Sequence, residues 1–142
     1  MRKIKFRGKS VDTGEWIYGA YLQPTKNIEK HFIISLNEEG SIHKEEVIPQ
    51  TVGQYTTHND IYHVGIYEGD ILQGQYYPIS EEDAYILLVE YDQDTFLGVR
   101  MMKSTSNVSG VSHGVGDTLN EFQDQSLRII GNIHDDPDMI LD

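Results

Sequence analysis

The sequence predicts a mainly β protein, built as one compact unit or as two small β subunits that meet near residue 55. Three observations carry this reading. Apolar and polar residues alternate with period two along most of the chain, Gly, Asn and Asp clusters separate the alternating runs, and helical spacing is nearly absent. At 142 residues the chain is about one domain long and can bury roughly two-thirds of its unfolded surface.

The elements follow in order. In "KIKFRG", Ile4 and Phe6 alternate with Lys3, Lys5 and Arg7, which predicts a strand with one wet face. "VDTGEWIYGAYLQP" predicts a turn at Asp12-Thr13-Gly14 and an aromatic strand through Trp16, Tyr18 and Tyr21. "HFIISL" reads as a strand, "NEEGS" as a turn and "IHKEEVIP" as the partner strand; "TVGQY" is a short β-branched segment. The strongest strands come later, at "AYILLVEY", "FLGVRM" and "LRIIGNI". Two short helices are expected. One starts at Asp117 in "DTLNEFQDQ", with Leu119 and Phe122 three apart; the other lies in "DPDMIL", with Asp136 as cap and Pro137 at the first helical position. The Ser/Gly-rich stretch 103–116 predicts a mobile loop.

Between these elements sits "GIYEGDILQG", where Glu68 and Asp70 flank Gly69. Apolar residues on both sides require the chain to bend here. Glycine tolerates positive φ, Asp70 can accept a backbone N–H to hold the turn, and Glu68 is expected to point into water. A catalytic carboxylate pair would need a defined separation across a cleft, or a base beside a nucleophile, and adjacent turn carboxylates offer neither. The stretch is expected to be a structural corner.

Composition narrows the function. No apolar run approaches the roughly 20 residues that span a bilayer, so no membrane helix is expected. The basic start "MRKIKFRGK" is followed by no apolar core or small-residue cleavage site, so it does not read as a signal peptide. The chain has no cysteine, which excludes disulfide scaffolds and cysteine metal sites and fits a reducing cytoplasm. The net charge of −12 is uneven: residues 1–59 carry +1 and residues 60–142 carry −13. Such an acidic half repels phosphate backbones and argues against broad nucleic-acid binding. Five basic residues, Arg2, Lys3, Lys5, Arg7 and Lys9, crowd the first nine positions. They are expected to be solvated or to pair with the acidic half rather than to hold an anion, although small barrels that bind nucleic acid keep DNA contact through this strand open as an alternative.

Candidate sites are few. His58, Asp60 and His63 in "HNDIYH" are a reasonable divalent-metal set, but in an extended strand His63 faces away from the other two, and solvated loop histidines are the simpler reading. His113 in "SHGVGD" lies in a Gly-rich stretch that lacks the lysine and spacing of a phosphate loop. No serine stands in a nucleophile-elbow motif. No catalytic residue, cofactor or metal is therefore assigned. Nine tyrosines, at positions 18, 21, 55, 62, 67, 76, 77, 85 and 91, suit both a barrel interior and a protein interface. Two of them stand beside Pro78 in "QGQYYPIS".

Four collinear blocks, "MRKIKFRGKSVDTGEWIYGAYL", "VIPQTVGQYT", "IYEGDIL" and "IIGNIHDDPDMI", resemble YopX-like phage and prophage proteins. The resemblance implies a single domain over 1–142, with an N-terminal β-hairpin region over 1–55 and a small Src-homology-3-type β-barrel over 56–142. It implies a gene carried by a bacteriophage or prophage, and no known activity. The chain departs from the family pattern at "THNDIYHVG" (57–65) and at 103–116. Together these readings lead us to expect a non-enzymatic binding or assembly module in the cytoplasm of a bacterial host, forming a homo-oligomer or gripping a host or phage protein. An acidic decoy for a host nucleic-acid-binding protein is the alternative, motivated by the −13 half. A metal-dependent hydrolase built on His58, Asp60 and His63 is the weakest reading.

Overall fold

The structure is a computed structural model that describes residues 3–75, 84–92, 96–104, 117–118 and 127–140. It is mainly β; the described residues form eleven strands and two short 3-10 turns, in sheets whose described pairings are antiparallel. The strands are β1 (Phe6–Lys9), β2 (Trp16–Leu22), β3 (His31–Leu36), β4 (Ile42–Val47), β5 (Gly53–Asn59), β6 (Gly65–Tyr67), β7 (Asp70–Gln75), β8 (Ala84–Asp92), β9 (Phe96–Ser104), β10 (Asp117–Thr118) and β11 (Arg128–Asn132). The chain divides into two compact units, Met1–Thr57 and His58–Asp142.

In the first unit the strand order is β4-β3-β2-β1-β5. Strand β2 changes partner halfway: Trp16–Gly19 pair with β1, and Ala20–Leu22 pair with β3. A strand that hands over in this way must bend, and Gly19 sits at the handover. A Cβ placed there would lie 2.1 Å from the Ile34 carbonyl oxygen, so only glycine permits the approach. Ile33 and Val47 are fully buried on one face of this sheet, where Phe6 and Tyr21 bring their rings to 5.4 Å. The β1–β2 turn is tied down by Ser10, whose hydroxyl accepts N–H bonds from Asp12 and Thr13 and donates to Glu45 Oε1 at 2.6 Å. The 3-10 turn Pro49–Thr51 is tied in similarly: Thr51 Oγ1 accepts the Lys9 N–H at 2.9 Å and donates to the Ile48 carbonyl.

The second unit holds β6, reached from β5 through the turn at 60–64, and a sheet of order β10-β9-β8-β7-β11. Consecutive residues Ile71-Leu72 on β7 and Leu87-Leu88-Val89 on β8 are buried, so these central strands are covered on both faces. Ile66, Tyr67 and Leu127 complete the buried apolar set. Strand β11 lies on the other side of β7, with Ile129 opposite Leu72 and Gly131 opposite Ile71; the register slips by one residue between them.

Several expectations change. Among the described residues the sheet is open, with β10 and β11 at its ends, and no ladder closes it into the expected barrel. Asp117 and Thr118 pair with Val99 and Gly98 as β10 rather than capping a helix, because a ladder partner outcompetes a weak local propensity. The remainder of that expected helix, residues 105–116 of the loop, His113 and the Tyr76-Tyr77-Pro78 segment lie outside the described residues. Residues 103 and 104 belong to β9. The "DPDMIL" segment forms a 3-10 turn, Pro137–Ile140, not an α-helix. Asp136 bends back to accept the Asn132 N–H at 3.3 Å and so holds the preceding turn.

The handover at Gly19 yields a direct expectation. Gly19→Ala forces β2 and β3 apart and should lower the unfolding free energy by about 2–3 kcal/mol, read as a reduced urea midpoint with an unchanged m-value.

Candidate functional site

The acidic corner is built from β6, a two-residue bend and β7. Gly69 has φ +94°, in the left-handed region that glycine enters without a Cβ clash. Asp70 is 1% exposed, and its Oδ2 accepts the Tyr67 N–H at 2.8 Å, which closes the turn. Gly69 gives its N–H to the Val89 carbonyl and accepts from the Ile133 N–H, both at 2.8 Å. His134 packs over the bend, with its ring Nε2 3.3 Å from where a Gly69 Cβ would stand. Contrary to expectation, Glu68 does not stand in open water. It is half-buried, and desolvation pushes its carboxyl above the ordinary range.

The residues 58–63 also differ from a metal set. Asp60 is buried and committed to backbone: Oδ1 accepts the Tyr62 and Val64 N–H groups at 2.9 and 3.0 Å, and Oδ2 accepts the Ile129 N–H at 3.2 Å. The carboxylate thus fastens the 60–64 turn to β11, helped by the Ile61 N–H bond to the Leu127 carbonyl. His63 takes φ +64° within that turn and is exposed, while His58 is half-buried on β5, where desolvation lowers its pKa. Among the described residues no group of three His, Asp or Glu side chains is arranged to hold a metal.

The basic start forms a third feature. Cross-strand partners share a face. Register therefore places Lys9 with Trp16, Arg7 with Tyr18, and Ala20 with Ile34 and Lys44 on one side of the first unit's sheet. Arg7 lies 4.4 Å and Lys9 5.6 Å from the Trp16 ring centroid, Lys5 lies 4.7 Å from Tyr55, and Lys44 lies 4.7 Å from Phe32. Each ammonium or guanidinium meets the electron-rich face of a ring. The expected wet face of β1 is therefore partly covered, and Arg7 is only 6% exposed.

On the same side, large apolar groups stand in solvent: Tyr18, Leu22, Leu36 at 69% exposure and Ile42 at 75%. The opposite side carries the polar tie of Glu45 to Ser10 and to His43 Nε2 at 2.9 Å, which holds the Glu45 carboxyl below the usual range. Of the tyrosines with described side chains, Tyr55 and Tyr67 serve the interior, whereas Tyr18, Tyr62 and Tyr91 are exposed. Sequence reasoning singled out neither Leu36 nor Ile42. Their signal was an apolar residue at each end of the "NEEGS" turn, on strands otherwise read as alternating.

Two changes test the carboxylate roles. Asp60→Ala strands the N–H groups of Tyr62, Val64 and Ile129 and should cost about 2–3 kcal/mol by chemical denaturation. For Glu68, the folded chain holds the proton more tightly than the unfolded chain. Its contribution to stability is full below the ordinary carboxyl pKa and falls as pH rises from about 4 toward neutrality. Glu68→Gln should therefore gain stability over the parent with rising pH in that window, measured as a difference between two melting curves. His58 acts in the other direction, since its lowered pKa removes stability as pH falls below about 6.5.

The structure brings the four sequence blocks together two by two. In the first unit β1 pairs with β2 and β5, and Thr51 binds Lys9; in the second unit β7 pairs with β11. No curated protein matches the chain. The family model described as YopX protein matches residues 5–141, nearly the whole length. The chain belongs to the YopX protein family.

Proposed function

We propose that this protein is a non-enzymatic binding or assembly module, encoded by a phage or prophage and acting in the bacterial cytoplasm through the exposed face of its first unit. One observation carries the reading: Tyr18, Leu22, Leu36 and Ile42 leave large apolar surface in water on a side of the sheet that also bears Lys5, Lys9 and Lys44. Exposed aromatic and aliphatic groups bordered by cations are what a protein interface uses. The carboxylates give less support to chemistry, because both oxygens of Asp60 and Oδ2 of the buried Asp70 accept backbone N–H groups. The same inward turn removes these two from any phosphate-like lattice, which weakens the acidic-decoy reading.

The test combines size and capture. Light scattering on the purified chain, and a pull-down from bacterial host lysate read by mass spectrometry, should find self-association or a defined partner. Tyr18→Glu with Leu22→Glu, both on exposed positions, should abolish that association while the far-ultraviolet circular dichroism stays unchanged. A strict monomer that retains no partner in lysate overturns the proposal.

A further inference from the structure

The first unit's sheet ends at β4, and the hydrogen bonds define which of its backbone groups are open. The Asn37 N–H bonds the Ser41 carbonyl, and the β3–β4 register places Leu36 opposite Ile42 and Ile34 opposite Lys44. In an antiparallel ladder, narrow and wide pairs alternate, so Ile42, Lys44 and Glu46 turn their N–H and C=O groups away from β3. The Glu46 carbonyl is already taken by the Val11 N–H at 3.0 Å, and Val47 bridges to Ser10. At the other end, the Gly40 N–H bonds the Asn37 carbonyl. Two residues remain, Ile42 and Lys44, whose outward donors and acceptors meet no partner among the described residues. Leu36 and Ile42, both strongly exposed, stand beside them.

We propose that β4 pairs antiparallel with β4 of a second copy of this chain, in a two-fold register that sets Ile42 against Lys44 and His43 against His43 of the copy. This deepens the module reading and rests on it. The open groups select the register. Setting Lys44 against Lys44 would oppose like charges and require the Glu46 carbonyl that Val11 holds. Setting Ile42 against Ile42 would require Gly40, whose N–H is spent. The chosen register makes four backbone hydrogen bonds and sets no lysine against a lysine and no carboxylate against a carboxylate. Lys44 is drawn over its own Phe32 ring, away from its symmetry mate. Such an interface is isologous, the self-complementary kind that closes as a dimer.

The test uses the absence of native cysteine, so any disulfide dimer reports an introduced thiol. His43 would form a wide pair with its mate, Cα atoms ~4.5 Å apart, within the ~4.4–6.8 Å a disulfide accepts. His43→Cys should therefore oxidise to a disulfide dimer at least ~10-fold faster than Ile42→Cys or Lys44→Cys, which face each other's positions rather than themselves. Faster cross-linking of Lys44→Cys, or equal rates for all three, overturns the register. A charge swap tests the same pairing by sedimentation equilibrium of the full chain. Ile42→Lys sets two lysines together and should weaken the dimer ~10-fold, whereas Ile42→Glu meets Lys44 and should keep it. Equal weakening by both, or a monomeric parent chain at every concentration, overturns the proposal; a parent that is monomeric yet captures a partner from lysate leaves the module reading standing.

Discussion

Gly69, the residue before β7, answers to both flanks of that strand at once: its N–H goes to Val89 on β8 and its carbonyl accepts from Ile133, the residue after β11. That double commitment is the constraint on which the second unit depends. Strand β7 is buried on both faces, so it cannot leave backbone groups unpaired without a cost of several kcal/mol each in an apolar setting. The chain must therefore turn sharply before Asp70 and still deliver every amide in phase. A residue at positive φ, a buried carboxylate closing the turn on Tyr67 and a histidine packed over the bend meet that demand. The acidic appearance of the segment follows from the turn geometry.

Much of this was legible in the sequence, and the reasons are local. Period-two alternation and turn residues located β1 to β5 and the corner, because those signals arise from sterics within a few residues. Long-range commitments were not legible. Nothing near Asp60 announces that its second oxygen binds an amide 69 positions along the chain, and nothing near Arg7 announces that Trp16 covers it. Asp117 and Thr118, read as the start of a helix, lie in β10 for the same reason, since a two-residue ladder to β9 outweighs capping propensity. Glu68 was expected in water because its neighbours in sequence are a turn, yet its neighbours in space desolvate it.

The two units use charge in contrasting ways. In the first, cations are laid over aromatic rings, so the sheet carries positive charge on surface that also buries apolar area. In the second, the described carboxylates Asp60 and Asp70 replace backbone acceptors at places where the chain has no strand to pair with. A tally of charge along the sequence, +1 followed by −13, therefore overstates how much of the acidic half is available to a distant partner.

The Val11 amide that reaches across to Glu46 has a further meaning for how the protein survives at high concentration. A long bare sheet margin recruits strands without limit, which is the route to fibrils. Here the margin is sealed at one end by the Ser10–Val11 segment and at the other by the Asn37–Gly40 turn. What is left is a window two residues wide, too short to template an extending cross-β stack.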